Sequence, residues 1–377
     1  MKVATIIGTR PEIIRLSRAI PALDAHCEHI LIHTGQNFDY ELNDIFFDTL
    51  RLRKPDHFLD CGSKKYSASQ TISNIISKTD ELLRKIKPEC VVILGDTNSC
   101  LSAIAAKKLR IPIFHIEAGN RCFDSRVPEE TNRRIVDHIS DVNITYSHIS
   151  RECLIREGLP QDRIVVLGSP MLEVYQYYKN DIESSSILSH LGLTEKNYFV
   201  FSCHRDENLD GETKLEKLLQ ILNFLSDTYS LPVIVTTHPR LKSKIDRKLT
   251  AASSLIKFIK PIGLLDYIKL QSSSKCVISD SGGINEESLI LGFNAVNMRE
   301  TSERHEANEE GGAILTGMNT KRIETAVEYF MHCQCYNKYP RTPRPYLVDN
   351  FSDKLVRTIF SFTDYVRRYV YHDYCLL

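Results

Sequence analysis

The sequence predicts an α/β fold with two Rossmann-like domains whose parallel sheets face a central cleft. Short β-rich runs alternate with amphipathic helical stretches along almost the whole chain of 377 residues, and such alternation implies parallel strands joined by crossover helices. Several runs are apolar throughout, as expected of strands covered on both faces. Two runs lead into small polar turns that begin helices. One such turn in each half indicates a ligand held between two domains.

The predicted strands fall into two sets of six. The first set is 2–7, 29–33, 90–94, 111–116, 142–146 and 164–167. The second set is 198–202, 232–236, 256–259, 276–279, 295–298 and 313–315. Twelve strands are too many for one doubly wound sheet. We therefore predict an N-terminal domain over 1–170 and a C-terminal domain over 171–351. We expect a helix over 352–371 to pack back on the first domain.

Composition excludes several classes of protein. Lys and Arg total 48, as do Asp and Glu, so the formal net charge is +0, which argues against a nucleic-acid partner. No leader pattern is visible, and no apolar run approaches the ~20 residues that span a membrane. Eleven cysteines without framework spacing predict reduced thiols and a cytoplasmic protein. Cys333 and Cys335, beside His332, lack a second ligand pair, so we expect no metal.

Two turns have the composition of anion sites. Residues 8–12 read Gly-Thr-Arg-Pro-Glu, and residues 280–283 read Asp-Ser-Gly-Gly. Each follows a predicted strand and begins a helix, where free N–H groups and the positive helix end meet. Arg10, with Arg15 five positions on, can bind phosphate oxygens, although Arg10 could instead be a surface arginine that accompanies the turn. Ser281, Gly282 and Gly283 offer hydroxyl and N–H donors.

Three carboxylates are expected at the ends of strands in the first domain. Asp96 follows the strand 90–94, Glu117 follows 111–116, and Glu129 opens a helix after a proline. Asp96 could be only a helix N-cap, and Glu129 could only complement a helix dipole. Brought to one cleft edge, the three would raise each other's pKa, which suits general acid–base chemistry.

The second domain adds histidines and a further carboxylate. His204 lies beside an arginine at one strand end, and His238 lies at the next. A lone histidine is more often structural, but two at successive strand ends favour a functional role. Glu287, after the Ser-Gly-Gly turn, would hydrogen-bond ribose hydroxyls. No Asp-x-Asp pair that would hold magnesium is present, so we predict no metal and no cofactor.

These residues, in this order, resemble the non-hydrolysing UDP-N-acetylglucosamine 2-epimerase family over about residues 1–320. The matching pieces are 8–12, 95–97, 115–119, 128–130 with Asn132 and Arg133, His204 and Arg205 with Glu207 and Asn208, His238 and Pro239, 279–283 with Glu286 and Glu287, and Glu303 and Arg304 with Glu306. The resemblance implies a GT-B fold with a UDP-binding C-terminal domain, a homodimer through the first domain and a UDP-sugar substrate. It implies that UDP is eliminated to give a 2-acetamidoglycal and is then added back.

The resemblance also implies roles for single residues. Residues on the family's catalytic positions are Asp96, Glu117, Glu129 and His204. Residues on its phosphate-binding positions are Arg10, Arg133, Ser281 and Gly282. Glu287 falls on the ribose-binding position, and His238 belongs to the cleft set. Arg15 stands where a lysine is common, and we include it and Gly283 among the UDP-binding residues.

Four segments resemble the subgroup that epimerises UDP-2-acetamido-2,6-dideoxy-L-talose to UDP-N-acetyl-L-fucosamine for capsule or O-antigen. They are 35–40, 121–127, which should border the sugar, 168–171, and the tail around 352–366. Gly283, where that subgroup often has threonine, and His305, which replaces a usual proline, depart from its pattern. UDP-GlcNAc is therefore the alternative substrate. Three further functions stay open: a GT-B glycosyltransferase, a hydrolysing 2-epimerase and a non-catalytic nucleotide-sugar sensor.

Overall fold

The computed structural model describes residues 1–36, 40–203, 212–236, 254–260, 262–332 and 341–373. The chain forms two compact units. Unit 1 is Met1–Tyr177 together with Arg344–Leu377, and unit 2 is Tyr178–Pro343. These divisions lie a few residues from the predicted ones at 170/171 and 351/352.

Unit 1 contains a seven-stranded sheet in which every neighbouring pair is parallel. The strand order is β3-β2-β1-β4-β5-β6-β7, which is the order of a Rossmann sheet with one added edge strand. The strands are β1 (Lys2–Ile7), β2 (Glu28–His33), β3 (His57–Phe58), β4 (Cys90–Leu94), β5 (Ile113–Ile116), β6 (Val142–Thr145) and β7 (Ile164–Val166). All six predicted strands are confirmed. Only β3 was not predicted, because two residues are too few to show a pattern.

Helices cover the sheet of unit 1. They are α1 (Arg10–Arg15), α2 (Ala19–His26), α3 (Tyr40–Thr49), α4 (Ala68–Ile86), α5 (Ala103–Lys108), α6 (Pro128–Ile139), α7 (His148–Arg156) and α8 (Met171–Tyr177). Short 3-10 turns are Asn98–Ser102, Gln161–Arg163 and Arg344–Tyr346.

Unit 2 contains a six-stranded, wholly parallel sheet of order β10-β9-β8-β11-β12-β13. Its strands are β8 (Phe199–Ser202), β9 (Val233–Thr236), β10 (Ile256–Ile259), β11 (Cys276–Ser279), β12 (Ala295–Asn297) and β13 (Ile314–Leu315). Its helices are α9 (Lys179–Glu183), α10 (Ile187–Leu191), α11 (Glu212–Tyr229), α12 (Leu264–Ser272), α13 (Ile284–Leu291), α14 (His305–Glu309) and α15 (Thr320–His332). Two parallel sheets in an α/β chain confirm the predicted fold class.

The central strands of both units are buried on both faces. Every residue of β4 is buried, and so is every residue of β8 and of β11. Helices therefore cover each sheet on both sides, which explains why these strands are apolar throughout in the sequence.

The last helix, α16 (Phe351–Tyr369), belongs to unit 1 and contacts α2. Its core face is formed by Leu355, Ile359 and Val366, which are buried, whereas Phe360 is exposed. Ser352 at its start donates hydrogen bonds to Glu173 from both its backbone nitrogen and its hydroxyl, each 2.9 Å long. This link explains why α8 stays with unit 1.

Gly8 lies where the carboxyl ends of three strands of unit 1 converge. Ser99 follows β4 and Thr34 follows β2, and their hydroxyl oxygens are 2.8 Å apart. A Cβ on Gly8 would overlap both hydroxyls. The end of β1 therefore requires glycine for close approach to its neighbours.

We predict that Gly8→Ala lowers the free energy of unfolding by about 1–3 kcal/mol, because the added methyl overpacks this junction. Urea denaturation followed by circular dichroism measures it. Gly263→Ala is the matched control, since a methyl added there would meet no atom within 4 Å, and it should change stability by less than about 0.5 kcal/mol. Equal stability of the two variants would mean that the strand ends adapt to a side chain.

Candidate functional site

The carboxyl ends of the strands in unit 1 bring most of its predicted site residues to one edge of the sheet. Arg10 lies in α1 after β1, Asp96 follows β4, and Glu117 follows β5. Ligands of parallel α/β sheets bind at this edge. Pro11 in the first turn favours the start of α1. The Arg10 guanidinium lies 5.5 Å from the centroid of the Phe46 ring.

Arg15 and Glu117 are neighbours. Arg15 Nε lies 3.6 Å from Glu117 Oε2, and the Tyr146 hydroxyl donates to the same oxygen at 3.0 Å. The Arg15 guanidinium also lies 5.8 Å from the Tyr146 ring centroid. Glu117 has a φ of 72°, a left-handed conformation that is strained for a residue with a side chain. Such strain concentrates at functional sites.

Asp96 and Arg133 form a second pair at the same edge. Arg133 Nε donates to Asp96 Oδ2 at 2.6 Å, and its Nη1 donates to Glu130 Oε2 at 2.9 Å. Asn132 Nδ2 donates to the Asp96 carbonyl at 2.9 Å. Burial alone would raise the pKa of Glu130, but hydrogen bonds from Cys122 and Arg133 and the charge of Arg133 lower it overall.

Glu129 lies in the first turn of α6, the helix that also carries Arg133. Its Oε2 is buried and has no hydrogen-bond partner among the residues that the structure describes. From the sequence we expected three carboxylates that repel one another. The structure instead places an arginine against Asp96 and another against Glu117, so positive charge offsets the repulsion there.

Glu12 is a buried carboxylate at this edge that was not predicted from the sequence. It accepts hydrogen bonds from Gly8 N, from Thr9 N and from the Thr97 hydroxyl. Burial raises the pKa of Glu12 to about 7, although these hydrogen bonds act in the opposite direction. The sequence signal was the Thr-x-x-Glu spacing of a capping box at residues 9–12, which does not reveal the contact with Thr97.

The carboxylate of Asp137 is connected by hydrogen bonds to two of the turns at the strand ends. Its Oδ1 lies 2.8 Å from His115 Nδ1, and His115 Nε2 lies 2.8 Å from the carbonyl oxygen of Gly95, next to Asp96. Its Oδ2 accepts from Gly119 N at 3.1 Å, two residues after Glu117. Burial would raise the pKa of Asp137, but His115 and Arg121 lower it overall.

Arg121 completes this buried cluster. Its Nη1 donates to Asp137 Oδ2 at 2.7 Å, and its Nε and Nη2 donate to the two carboxylate oxygens of Glu157 at 2.8 and 2.6 Å. We expected the segment 121–127 to border the sugar. The Arg121 side chain is fully buried in ion pairs, so its guanidinium is engaged within the protein, and the expectation for the rest of the segment stays a prediction. Its neighbour Phe123 is 66% exposed.

Unit 2 carries the second predicted anion turn at the start of α13. Ser281 is exposed, and its hydroxyl accepts from Gly283 N at 3.2 Å. A Cβ on Gly282 would lie 2.6 Å from Arg299 Nη1 and 2.7 Å from Glu303 Oε1. These two groups form a buried ion pair, so only glycine fits without a shift.

Glu287 lies in the first turn of α13, and its Oε2 accepts from Gln271 Nε2 at 3.2 Å. Its Oε1 would lie 3.0 Å from a Cβ on Gly283. The structure therefore gathers the predicted Ser281, Gly282, Gly283 and Glu287 at one helix start in unit 2.

His204 and His238 lie outside the described residues, as do Cys333 and Cys335. Just before His204, Cys203 Sγ donates to Asp280 Oδ2 at 3.3 Å, and burial raises the pKa of this thiol. Within the described ranges, no three His, Cys, Asp or Glu side chains gather as a metal site. None of the helices described is both long and apolar enough to cross a membrane.

Comparison with known proteins gives a consistent set of relatives. A family model described as UDP-N-acetylglucosamine 2-epimerase matches residues 21–360. The UDP-2,3-diacetamido-2,3-dideoxy-D-glucuronate 2-epimerase of Pseudomonas aeruginosa is 34% identical over 84% of this chain and 88% of its own.

Solved structures agree with these relatives. The UDP-N-acetylglucosamine 2-epimerase of Rickettsia bellii is 44% identical, with a TM-score of 0.91 over 99% of this chain and 100% of its own. The UDP-GlcNAc 2-epimerase of Methanocaldococcus jannaschii, solved with UDP-GlcNAc and UDP, is 31% identical, with a TM-score of 0.87 over 96% of this chain and 100% of its own.

We predict that Asp137→Asn lowers the free energy of unfolding by about 3–5 kcal/mol, because it removes a carboxylate that pairs with the buried guanidinium of Arg121. The folded pKa of Asp137 is below its usual value. The contribution of Asp137 to the free energy of unfolding is therefore complete at neutral pH, and it is lost only as pH falls through that lowered pKa. Urea denaturation at pH 7 measures the loss.

The matched control for this substitution is Asp353→Asn. Asp353 pairs with Arg357 on the surface of α16, where the two side chains are 58% and 77% exposed. Loss of such an exposed pair costs less than about 1 kcal/mol. If Asp137→Asn cost no more than this control, the buried cluster would not be what holds the turns.

Proposed function

Because the chain belongs to the UDP-N-acetylglucosamine 2-epimerase family, we propose that it inverts C2 of a UDP-2-acetamido sugar. A carboxylate removes the C2 proton as the bond from C1 to the UDP oxygen breaks, which leaves a 2-acetamidoglycal and UDP. A proton is then returned to the opposite face of C2, and UDP adds back to C1. No oxidant or cofactor enters this balance. The observation that carries the proposal is the grouping of Asp96, Glu117 and Glu129 at the strand ends of unit 1.

The surroundings of these carboxylates suit proton transfer. Glu117 lies against Arg15 and the Tyr146 hydroxyl, and these two contacts would hold its carboxylate in a fixed orientation. Glu129 has a buried oxygen without a hydrogen-bond partner in the described parts of the chain. Such an oxygen can accept a proton, or it can accept a hydrogen bond from a substrate hydroxyl. We propose Asp96, Glu117, Glu129 and His204 as the catalytic residues.

The leaving UDP needs positive groups and N–H donors. We propose that Arg10, Arg15 and Arg133 from unit 1, and Ser281, Gly282 and Gly283 from unit 2, bind the substrate diphosphate. We assign the ribose to Glu287 and add His238 to the UDP-binding set. Arginines and a helix start stabilise the charge that develops on a departing diphosphate. We also propose, from the family resemblance, a cytoplasmic homodimer formed through unit 1.

For the sugar, we propose UDP-2-acetamido-2,6-dideoxy-L-talose, which would give UDP-N-acetyl-L-fucosamine for capsule or O-antigen. The four segments that resemble the L-sugar subgroup support this choice. The exposed ring of Phe123, whose backbone nitrogen donates to Glu130, suits a sugar that carries a methyl at C6. UDP-GlcNAc is the alternative substrate, because known relatives include enzymes named for it.

Proton NMR in deuterated water, with either UDP sugar, tests the function and the substrate together. Deuterium at C2 of the L-sugar alone, with a new epimer, would support the proposed substrate. Exchange with UDP-GlcNAc alone would favour the alternative. Free N-acetylmannosamine with UDP would indicate a hydrolysing enzyme. With no exchange at all, sugar transfer to an added acceptor would indicate a glycosyltransferase, and tight binding without turnover would indicate a sensor.

We predict that Glu117→Gln lowers kcat by about 10²–10⁴-fold, the range for loss of a general acid–base group, and changes UDP affinity by only a few-fold. The amide keeps the shape of the side chain but removes the basic oxygen. Calorimetry measures the affinity for UDP. Glu152→Gln, in an exposed pair with Arg156, is the control and should leave kcat unchanged. Loss of UDP binding in step with kcat would make Glu117 a structural residue.

A further inference from the structure

Glu12 stands at the centre of the strand-end edge of unit 1, and its contacts exceed what a helix start requires. It is the third residue of α1, a position that faces water at most helix starts, yet it is only 2% exposed. Burial of a carboxylate is costly unless donors converge on it. Glu12 has such donors from two separate parts of the chain.

The two oxygens of Glu12 hold different turns. Oε2 accepts from Gly8 N at 2.5 Å and from Thr9 N at 3.1 Å, so it fixes the turn that carries Arg10. Oε1 accepts from the hydroxyl of Thr97 at 2.5 Å, across 85 positions of sequence. Thr97 is the residue after Asp96. One carboxylate therefore joins the proposed phosphate-binding turn to the turn of a proposed catalytic residue.

The Thr97 turn continues this connection to a third strand. The Thr97 hydroxyl accepts from Ser99 N at 3.3 Å, and Ser99 Oγ donates to Gln36 Oε1 at 2.9 Å. Gln36 follows β2. The ends of β2, β1 and β4 are thus joined by side-chain hydrogen bonds, and Glu12 is the residue that links the turn after β1 to the turn after β4.

We propose that Glu12 is a positioning residue, which sets the Asp96 carboxylate relative to the Arg10 turn through its bond to Thr97. This inference rests on the proposed epimerase function. A mere helix cap would stabilise α1 and leave Asp96 where it is. A positioning residue couples the two turns. Removal of either partner of the Glu12–Thr97 hydrogen bond would then misplace the Asp96 carboxylate and lower kcat.

The test is a double-mutant cycle on kcat with Thr97→Val and Glu12→Ala, measured with whichever UDP sugar the wild type turns over. We expect Thr97→Val to lower kcat about 10- to 100-fold, the scale of a small misplacement of a reacting group, while UDP affinity stays within about threefold. Thr97→Ser restores the hydroxyl and should recover most of kcat. In the Glu12→Ala background, Thr97→Val should lower kcat by no more than about twofold.

Two control variants separate positioning from general effects of substitution. Thr79→Val removes a buried hydroxyl that has no hydrogen-bond partner in the described regions, and it should leave kcat unchanged. Gln70→Ala breaks the capping box between Ser67 and Gln70 at the start of α4. It should lower thermal stability without a change in kcat. If Glu12→Ala does not fold, the Thr97→Val and Thr97→Ser pair carries the test by itself.

The outcomes are distinct. Coupled effects of the two substitutions on kcat, with rescue by Thr97→Ser, support the proposal. Full kcat in Thr97→Val, no rescue by Thr97→Ser, or independent effects in the cycle overturn it and leave the epimerase function standing. A wild type that exchanges no C2 proton overturns the proposed function, and the positioning role with it.

Discussion

The carboxylate of Asp137 is the constraint on which the arrangement of unit 1 depends. It has no access to solvent, and it is surrounded by an imidazole, a guanidinium and a backbone N–H group. These partners connect it to the turn before Asp96 and to the turn after Glu117. A parallel sheet brings strand ends together but does not fix where each turn points. The buried ion cluster fixes the direction of these turns, so Asp96 and Glu117, which follow different strands, keep a fixed position relative to each other.

Charge at the strand-end edge is balanced locally. The chain has no net charge, yet Arg15 and Arg133 each stand against a proposed catalytic carboxylate. The diphosphate of the proposed substrate would bring negative charge to the same edge, where the same arginines would face both carboxylate and ligand. Unit 2 contributes donors of another kind, since its turn offers N–H groups and a hydroxyl at a helix start instead of arginine side chains.

The strands of both sheets could be predicted because their apolar runs are local patterns. The short β3 could not, since a pair of residues carries no period. The proposed site residues of unit 1 were found at the strand ends where parallel sheets present them. Glu12 and Asp137 were missed because their roles depend on partners far along the chain, such as Thr97 and His115. The sequence also did not reveal that Arg121, in the segment expected to border the sugar, is buried in ion pairs with Asp137 and Glu157.

Unit 1 is assembled from two pieces of chain, and this has a consequence for biosynthesis. Unit 2 is one continuous segment between them. A ribosome makes the polypeptide from its amino end, and domains usually fold as they emerge. Residues of α16 bond to Glu173 and to the Leu167 carbonyl, so the amino-terminal part of unit 1 lacks these contacts until α16 has been made. Unit 2 is continuous and therefore has its whole sequence before unit 1 does.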